Sequence, residues 1–411
     1  MLASEVIPEQ ILSLSEIVSD YTHQLLQSFV NVEEVNLSVG DYLNFKIQER
    51  MPYRKINPII TYATEKDIDE IIFIYNDIYE GSYPYKEMED KEEIKKMINS
   101  PDVEWLMFRT KDGEIVGCFT FTFDFENKMG YTRGFNIKKK FVGKIDVLKA
   151  FMGSFLAMVI KYEGIIYRWY GESRTAHAKS QYFMRPCGFR PVGFYPCKDM
   201  FYDKVESDIL IVSYDEKSLK ELRSKKIPKI IPEAEDGFIY SDNRYNLGFY
   251  QTVEPYIELN YAKITRIKKN LRRKVVKDKF GYTDIIYALK NSDSYFKFLY
   301  TPQVENFEKT KYKVDNLEEL FVFVQEFKKC VREFNVRYCE VFVSGYKTDH
   351  QKIFRDTGLT PRGYIPSWKY DIKSNSFEDY VLFNWHEGEI DGNIQLLSEG
   401  KELLECLNYC V

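Results

Sequence analysis

Ile137, Lys138, Lys139, Lys140, Phe141, Val142, Gly143 and Lys144 set four lysines around one glycine, where a strand-like run gives way to a helix-like one. A turn of this kind can gather unpaired backbone N–H groups and the positive end of a helix dipole around phosphate oxygens, with glycine allowing close approach. The lysines would add attraction for a second phosphate. The same composition also makes an ordinary solvated turn. Further along, His177, Ser180 and Met184 recur at the spacing of one helical face. Glu172 ends the run "RWYGE", where a carboxylate could take a proton through water, or face solvent or pair with Arg174.

The elements that would hold these residues are readable from periodicity. From about Ile60 a strand, a helix with apolar residues at i, i+3 and i+4, and a second short helix follow one another. "EWLMFRT", "IVGCFTFTFDF" and "YTRGFNI" alternate between Gly- and Asn-containing turns and predict three antiparallel strands. "IDVLKAFMGSFLAMVIKY" predicts a long helix, "IIYRWYGE" a strand, "TAHAKSQYFMRPC" a helix, and two closing strands complete the order βααβββαβαββ. Residues 6–29 place Ile7, Ile11, Leu14, Ile17, Val18, Tyr21, Leu25 and Phe29 on one stripe and predict an N-terminal amphipathic helix, docked on its own chain or on a partner.

A stretch is written twice. "QYFMRPCGFRPVGFYP", 181–196, returns 170 positions later as "QKIFRDTGLTPRGYIP", with Gln181/Gln351, Arg185/Arg355, Gly188/Gly358, Pro191/Pro361, Gly193/Gly363 and Pro196/Pro366 identical. The second half repeats strand, long helix, strand, short helix, strand, so 411 residues divide into two domains. The expected boundaries are an N-terminal helical extension over 1–57, a domain over 58–213, a charged, proline-containing connection over 214–249, a divergent copy over 250–390 and a helical tail over 391–411.

These segments resemble the GCN5-related N-acetyltransferase (GNAT) superfamily in a tandem arrangement. The resemblance implies an α/β (α+β) fold: two GNAT-like domains, each a mixed, largely antiparallel sheet flanked by helices. It rests on the element order, on Lys140 and Gly143 at two places of the family's Q/R-x-x-G-x-G/A turn, and on "HAKSQYFMRPCGF", which ends in the helix-capping Gly188 and Phe189. Ile145 departs from the last small residue of the turn. By the resemblance, Ile137–Lys144 would hold the pyrophosphate of acetyl-CoA, or another acyl-CoA, as cosubstrate. His177, Ser180 and Met184 would line its pantetheine arm. Tyr83 and Tyr85 in "YEGSYPY" would wall the acceptor pocket, and Glu172 would be the base that deprotonates the amine. Met184 stands where many members carry the Tyr that protonates the departing thiolate. Tyr182, two residues away, is rotated about 200° around the helix.

The resemblance thus implies an acyl-CoA-dependent N-acyltransferase acting on a small-molecule amine or amino acid. The alternatives are a catalytically inactive GNAT-fold binding or regulatory protein, which Met184 and Ile145 favour, and an aminoacyl-tRNA-dependent transferase. The last would use 263–279, where nine Lys/Arg stand against one Asp and Ile264, Ile267, Leu271 and Val275 form a stripe at helical spacing. That run reads equally as a basic surface helix. In the second copy "KYKVDNLEEL" replaces the glycine turn, and Asp315, Glu318 and Glu319 in the first helical turn would repel a pyrophosphate.

Composition narrows the rest. Apolar residues at 44% and aromatic residues at 16% supply ample core, and a net charge of −5 argues against a general nucleic-acid coat. Seven scattered cysteines without C-x-x-C spacing and four separated histidines predict neither a disulfide framework nor a metal site, and suit a reducing cytoplasm. No run of about 18 apolar residues predicts a membrane span.

Overall fold

The computed structural model describes residues 58–290, 292–390 and 392–409, together with Phe29–Val30, Lys46–Ile47 and Ile56. The stripe expected over 6–29 lies outside these residues except for Phe29, which pairs with Ile47 in a two-residue strand. Packing divides the chain into two units. Of the described residues, the first holds those up to 173, 177–190 and 210–221, and the second holds 174–176, 191–209 and those from 222 onward.

The first sheet opens with β1 (Ile59–Tyr62). Thr64 and Asp67 then cap each other reciprocally, and α1 (Ile68–Tyr79) follows with Ile68, Ile71, Ile74 and Tyr75 on its buried side. Glu80, at φ 53°, ends that helix. The Asp90 side chain accepts from the Glu93 N–H and starts α2 (Lys91–Ile98). Next come β2 (Val103–Arg109), β3 (Ile115–Asp124), β4 (Met129–Ile137), α3 (Val147–Lys161), β5 (Arg168–Arg174), α4 (Lys179–Met184), β6 (Arg190–Phe201) and β7 (Lys204–Tyr214). This is the βααβββαβαββ order expected, and the strands lie side by side as β1-β2-β3-β4-β5-β7-β6. β1 to β4 run antiparallel in turn, whereas β4 pairs with β5 in parallel. All residues from Leu148 to Val159 in α3 are buried, as an apolar helix with no polar face requires.

The second unit has its own seven-stranded sheet. It contains α5 (Glu235–Tyr245), α6 (Tyr261–Asn270), β8 (Leu271–Lys277), β9 (Thr283–Leu289), β10 (Tyr295–Thr301), β11 (Asn306–Lys313), α7 (Leu317–Glu333), β12 (Tyr338–Ser344), α8 (Thr348–Asp356), β13 (Thr360–Asp371), β14 (Ser376–His386) and α9 (Ser398–Cys406). The strand order, β8-β9-β10-β11-β12-β14-β13, matches the first sheet place for place, with β11 and β12 the parallel pair. Both sheets are therefore mixed and largely antiparallel.

Two readings of the sequence change here. The basic run 263–279 is not one helix: α6 stops at Asn270, and residues 271–277 pair along their whole length with β9. Val275 and Val276 favour an extended chain, and partner pairing overrides the weak helical stripe. The stretch expected as a connection over 214–249 carries α5, with Ile230, Ile231 and Phe238 fully buried in the second unit's core.

The duplicated stretch builds the same piece twice, a short helix leading into a strand. Gly188 and Gly358 follow the two helices at φ 79° and 101°, a left-handed cap that glycine adopts at little cost. Within the second unit, β6 residues 191–201 lie against β13. A Cβ on Gly363 would overlap the Val192 carbonyl and the Gly193 backbone, and Asn384 donates to the Phe194 carbonyl at 2.9 Å.

Candidate functional site

β4 and β5 pair only at Met129/Arg168, Gly130/Trp169 and Tyr131/Tyr170, with the Thr132 hydroxyl donating to the Tyr170 carbonyl at 3.2 Å beyond them. The ladder between the two strands ends there. On the α4 side of this end, a Cβ on Gly171 would come within 2.9 Å of Met184 Cε and of Thr132 Oγ1, so the glycine makes room for the buried methionine. Phe183 packs on Phe135 and Phe151 at ring distances of 5.6 and 6.0 Å, and Ser180 Oγ hydrogen-bonds Ser173 Oγ. Tyr182 is 45% exposed, turned away from Met184 as its rotation predicts. α4 starts only at Lys179, so Ser180 and Met184 share the helix while His177 lies ahead of it.

β4 also carries a bulge. Cys118 pairs with Asn136 and Thr120 with Arg133, so Gly134 and Phe135 together oppose Phe119. Gly134 adopts φ 64°, and a Cβ there would overlap the hydroxyl of Tyr75 on α1. The extra residue has a further consequence. Residues three apart on a regular strand face opposite sides, but here Arg133 and Asn136 both reach the α1 side, Arg133 to Glu87 at 3.3 Å and Asn136 to the donating Tyr79 hydroxyl at 3.3 Å. Tyr83 packs on Tyr75 and Tyr79 with ring distances of 4.8 and 4.6 Å, and Tyr85 on Tyr83 at 5.9 Å. Strand alternation places Glu172 on the side away from Met184 and Ser180, hence on this same side of the sheet. Arg174 instead makes a bidentate pair with Glu206.

Burial dominates the electrostatics of this side. It holds the Tyr75 hydroxyl protonated, its pKa well above the ordinary value, with Tyr83 and Cys118 adding to the shift. It pushes the Cys118 thiol up to about 12. For Arg133 burial works against the charge, and Tyr83, Glu87 and Tyr75 outweigh it, leaving the pKa raised.

Most N–H groups of the turn between β4 and α3 are already bonded, within the turn or to Val116, Asp77 and Ile56. N–H groups of Lys138, Lys139, Phe141, Val142, Lys144, Ile145 and Asp146 all donate within the protein, and Lys140 and Gly143 take no part in that network. Lys138, Lys139 and Lys140 pair with Glu70, Glu80 and Glu114 respectively, while Lys144 is exposed without an ion pair among the described residues. Gly143 stands at φ 80° with open space around it. Asp146 caps α3 by accepting from the Lys149 N–H.

Tyr83, Tyr85 and Glu172, expected from the sequence, lie on the same side of the sheet as Tyr75, Arg133 and Asn136, which sequence reasoning did not single out. Alternation assigns the latter two to opposite faces. The single signal was Gly134 inside an otherwise regular strand, a known mark of a bulge. Among the described residues no group of three or more His, Cys, Asp or Glu could hold a metal ion, and no helix is long and apolar enough to cross a membrane.

The two seven-stranded sheets share one strand order, each with its parallel pair at the same place. The element order of the first sheet is the one the sequence resemblance implied. Solved structures similar to the chain include spermidine N-acetyltransferase from Vibrio cholerae in complex with CoA and spermine, at 13% identity and TM-score 0.33 over 39% of this chain and 96% of that one. Another is the Microcin C7 self immunity acetyltransferase MccE in complex with acetyl-CoA and AMP, at 19% identity and TM-score 0.31 over 39% of this chain and 93% of that one. No protein-family profile and no curated protein matches the chain.

Proposed function

We propose that the first copy is an acyl-CoA-dependent N-acyltransferase that moves an acetyl group to a small amine. The observation that carries this is the end of the β4/β5 ladder beside the Gly134 bulge, with the polar cluster of Arg133, Asn136 and Tyr79 on one side and a Ser180/Met184 face on the other. The acyl thioester would lie along the diverging strands. Its pyrophosphate would meet the Ile137–Lys144 turn, exchanging the exposed Lys139 and Lys140 ion pairs, each worth about 0–1 kcal/mol, for phosphate contacts. Its pantetheine would pass Ser180 and Met184, with His177 ahead of the helix. Tyr83 and Tyr85 would wall the acceptor.

The chemistry is direct transfer. Glu172 takes a proton from the ammonium through water, the free amine attacks the thioester carbonyl, the C–N bond forms and the C–S bond breaks. Coenzyme A leaves as the thiolate, carrying the C–S bonding pair, and takes its proton from solvent, since Met184 can donate none; the nitrogen, whose own pair now forms the C–N bond, loses its second proton to water. Acetyl-CoA-dependent thiol release with a mixture of amines tests the reading. Glu172→Gln should lower kcat by about 10²-fold or more with little change in the KM for acetyl-CoA. Equal rates in the variant would remove Glu172, and no release with any amine would remove the reading.

A binding or regulatory role is the second reading, favoured by the N–H groups of 138–146 that are already bonded and by Met184 filling the space against Gly171. Coenzyme A binding without turnover would support it. The tRNA-dependent reading draws on 263–279, where Lys263 and Arg273 are already spent on Glu318 and Glu333.

A further inference from the structure

The polar groups on the α1 side of β4 are matched to one another except among the donors. Tyr75 Oη and Arg133 Nε are buried and make no hydrogen bond, and the buried Asn136 Nδ2 has no nitrogen or oxygen acceptor, only the Cys118 thiol nearby. Tyr75 is fully buried and Asn136 3% exposed. Tyr75 Oη and Asn136 Nδ2 both lie next to Gly134, so they converge on the bulge. The thiol of Cys118, close enough to interact with Asn136, is a weak acceptor. Glu87, the carboxylate paired on this side, is engaged by Arg133. Buried donors left without acceptors cost free energy that a ligand bringing oxygen atoms would return.

Resting on the acyl-transfer reading, we infer that the acceptor amine carries a carboxylate, as an amino acid does, and that Tyr75, Asn136 and Arg133 donate to its oxygens. A carboxylate supplies about four acceptor positions, enough for the two donors that meet at Gly134 and for Arg133, whose charge is close enough to interact with Tyr75. A diamine or polyamine supplies none and would set its second ammonium against the Arg133 guanidinium. Glu172, on the same side of the sheet, then faces the amino end. Entry requires Tyr83, which packs on Tyr75, and Tyr85, which packs on Tyr83, to move aside.

The test has two arms on the full chain. In the first, thermal unfolding is measured with N-acetyl amino acids, which mimic the product, and with the same compounds as amides. At least one acid should stabilise the wild type while its amide binds about tenfold or more weakly. Asn136→Asp should abolish the difference, and Tyr75→Phe, which removes one donor without changing shape, should reduce it. Acids and amides that behave alike, or that both fail to bind, overturn the inference and leave these donors to a buried water or to the fold alone. In the second arm, thiol release from acetyl-CoA is compared for amino acids and for the matching amines without the carboxylate. A preference of about 10²-fold or more in kcat/KM for the acids is expected. Turnover that prefers the plain amines overturns the inference while the acyl-transfer reading stands. Acid-specific stabilisation without any thiol release keeps the carboxylate contacts of Tyr75, Asn136 and Arg133 but overturns the acyl-transfer reading and with it the acceptor role.

Discussion

Gly134 and Lys309 occupy the same bulge in the two copies, each the first of two residues opposite one phenylalanine, at φ 64° and 54°. Left-handed backbone costs a lysine about 1–2 kcal/mol, yet Lys309 keeps it with an exposed side chain. The second copy therefore preserves the bulge as a shape. In the first copy the Tyr75 hydroxyl takes the space of a Cβ, so only glycine fits. The flanking residues differ in the same direction. Arg133 and Asn136 each keep a buried donor atom without a nitrogen or oxygen partner, whereas their counterparts are Glu308, satisfied by Thr301 at 2.6 Å, and the exposed Lys311. The helix starts differ too. Glu319 closes the start of α7, accepting from the Asp315 N–H and the Ser294 hydroxyl, where the first copy has a glycine turn with lysines. One framework is thus kept twice, and features a ligand could use are concentrated in one copy.

That contrast can be broken by substitution. Gly134→Ala should destabilise the protein by about 2–4 kcal/mol through overlap and positive φ, whereas Lys309→Gly should change stability by less than about 1 kcal/mol; urea unfolding of both variants measures the difference. Comparable losses would mean that the two bulges are held in the same way. Gly363→Ala, whose Cβ meets backbone rather than a side chain, should cost at least as much as Gly134→Ala.

Acid should act on the second copy. Burial depresses the His350 pKa from its ordinary value to about 4, with Lys347 adding to the effect. The folded state then binds fewer protons than the unfolded chain between about pH 6.5 and 4, so stability from this group is intact above 6.5 and lost as pH falls through that window. The loss is at most about 3 kcal/mol. His350→Gln should flatten the profile there; an unchanged profile would assign the acid sensitivity elsewhere. The corresponding position in the first copy is Ser180, which cannot titrate in this range. Smaller effects are expected at the helix caps: Asn316→Ala and Asp146→Ala should each cost about 1 kcal/mol. Lys140→Ala, which removes an exposed ion pair, should cost less than about 1 kcal/mol.

The order of elements in the first copy was legible because its strands alternate and its helices keep their spacing over long runs, and the repeat marked the second copy. β8 was hidden because Ile264 to Val275 happen to fit a helical stripe while pairing with β9 decides the conformation. At the site, Tyr83, Tyr85 and Glu172 could be named from sequence because they sit at predictable places in the element order. Arg133 and Asn136 could not be joined, since one inserted residue reverses the face of everything after it. Nor could the sequence tell that the lysines of the turn have carboxylate partners drawn from α1, from Glu80 beyond it and from the β2–β3 turn.

The central claim is that the first copy's turn receives the cosubstrate. Thermal unfolding with acetyl-CoA, for the wild type and for Gly143→Asp, tests it most directly. A ligand at about 100 times its dissociation constant adds roughly 2.7 kcal/mol to the native state. The account predicts a clear rise in melting temperature for the wild type and none for the variant, whose carboxylate would stand in open space at the turn. No rise in the wild type, or an equal rise in both proteins, would contradict it.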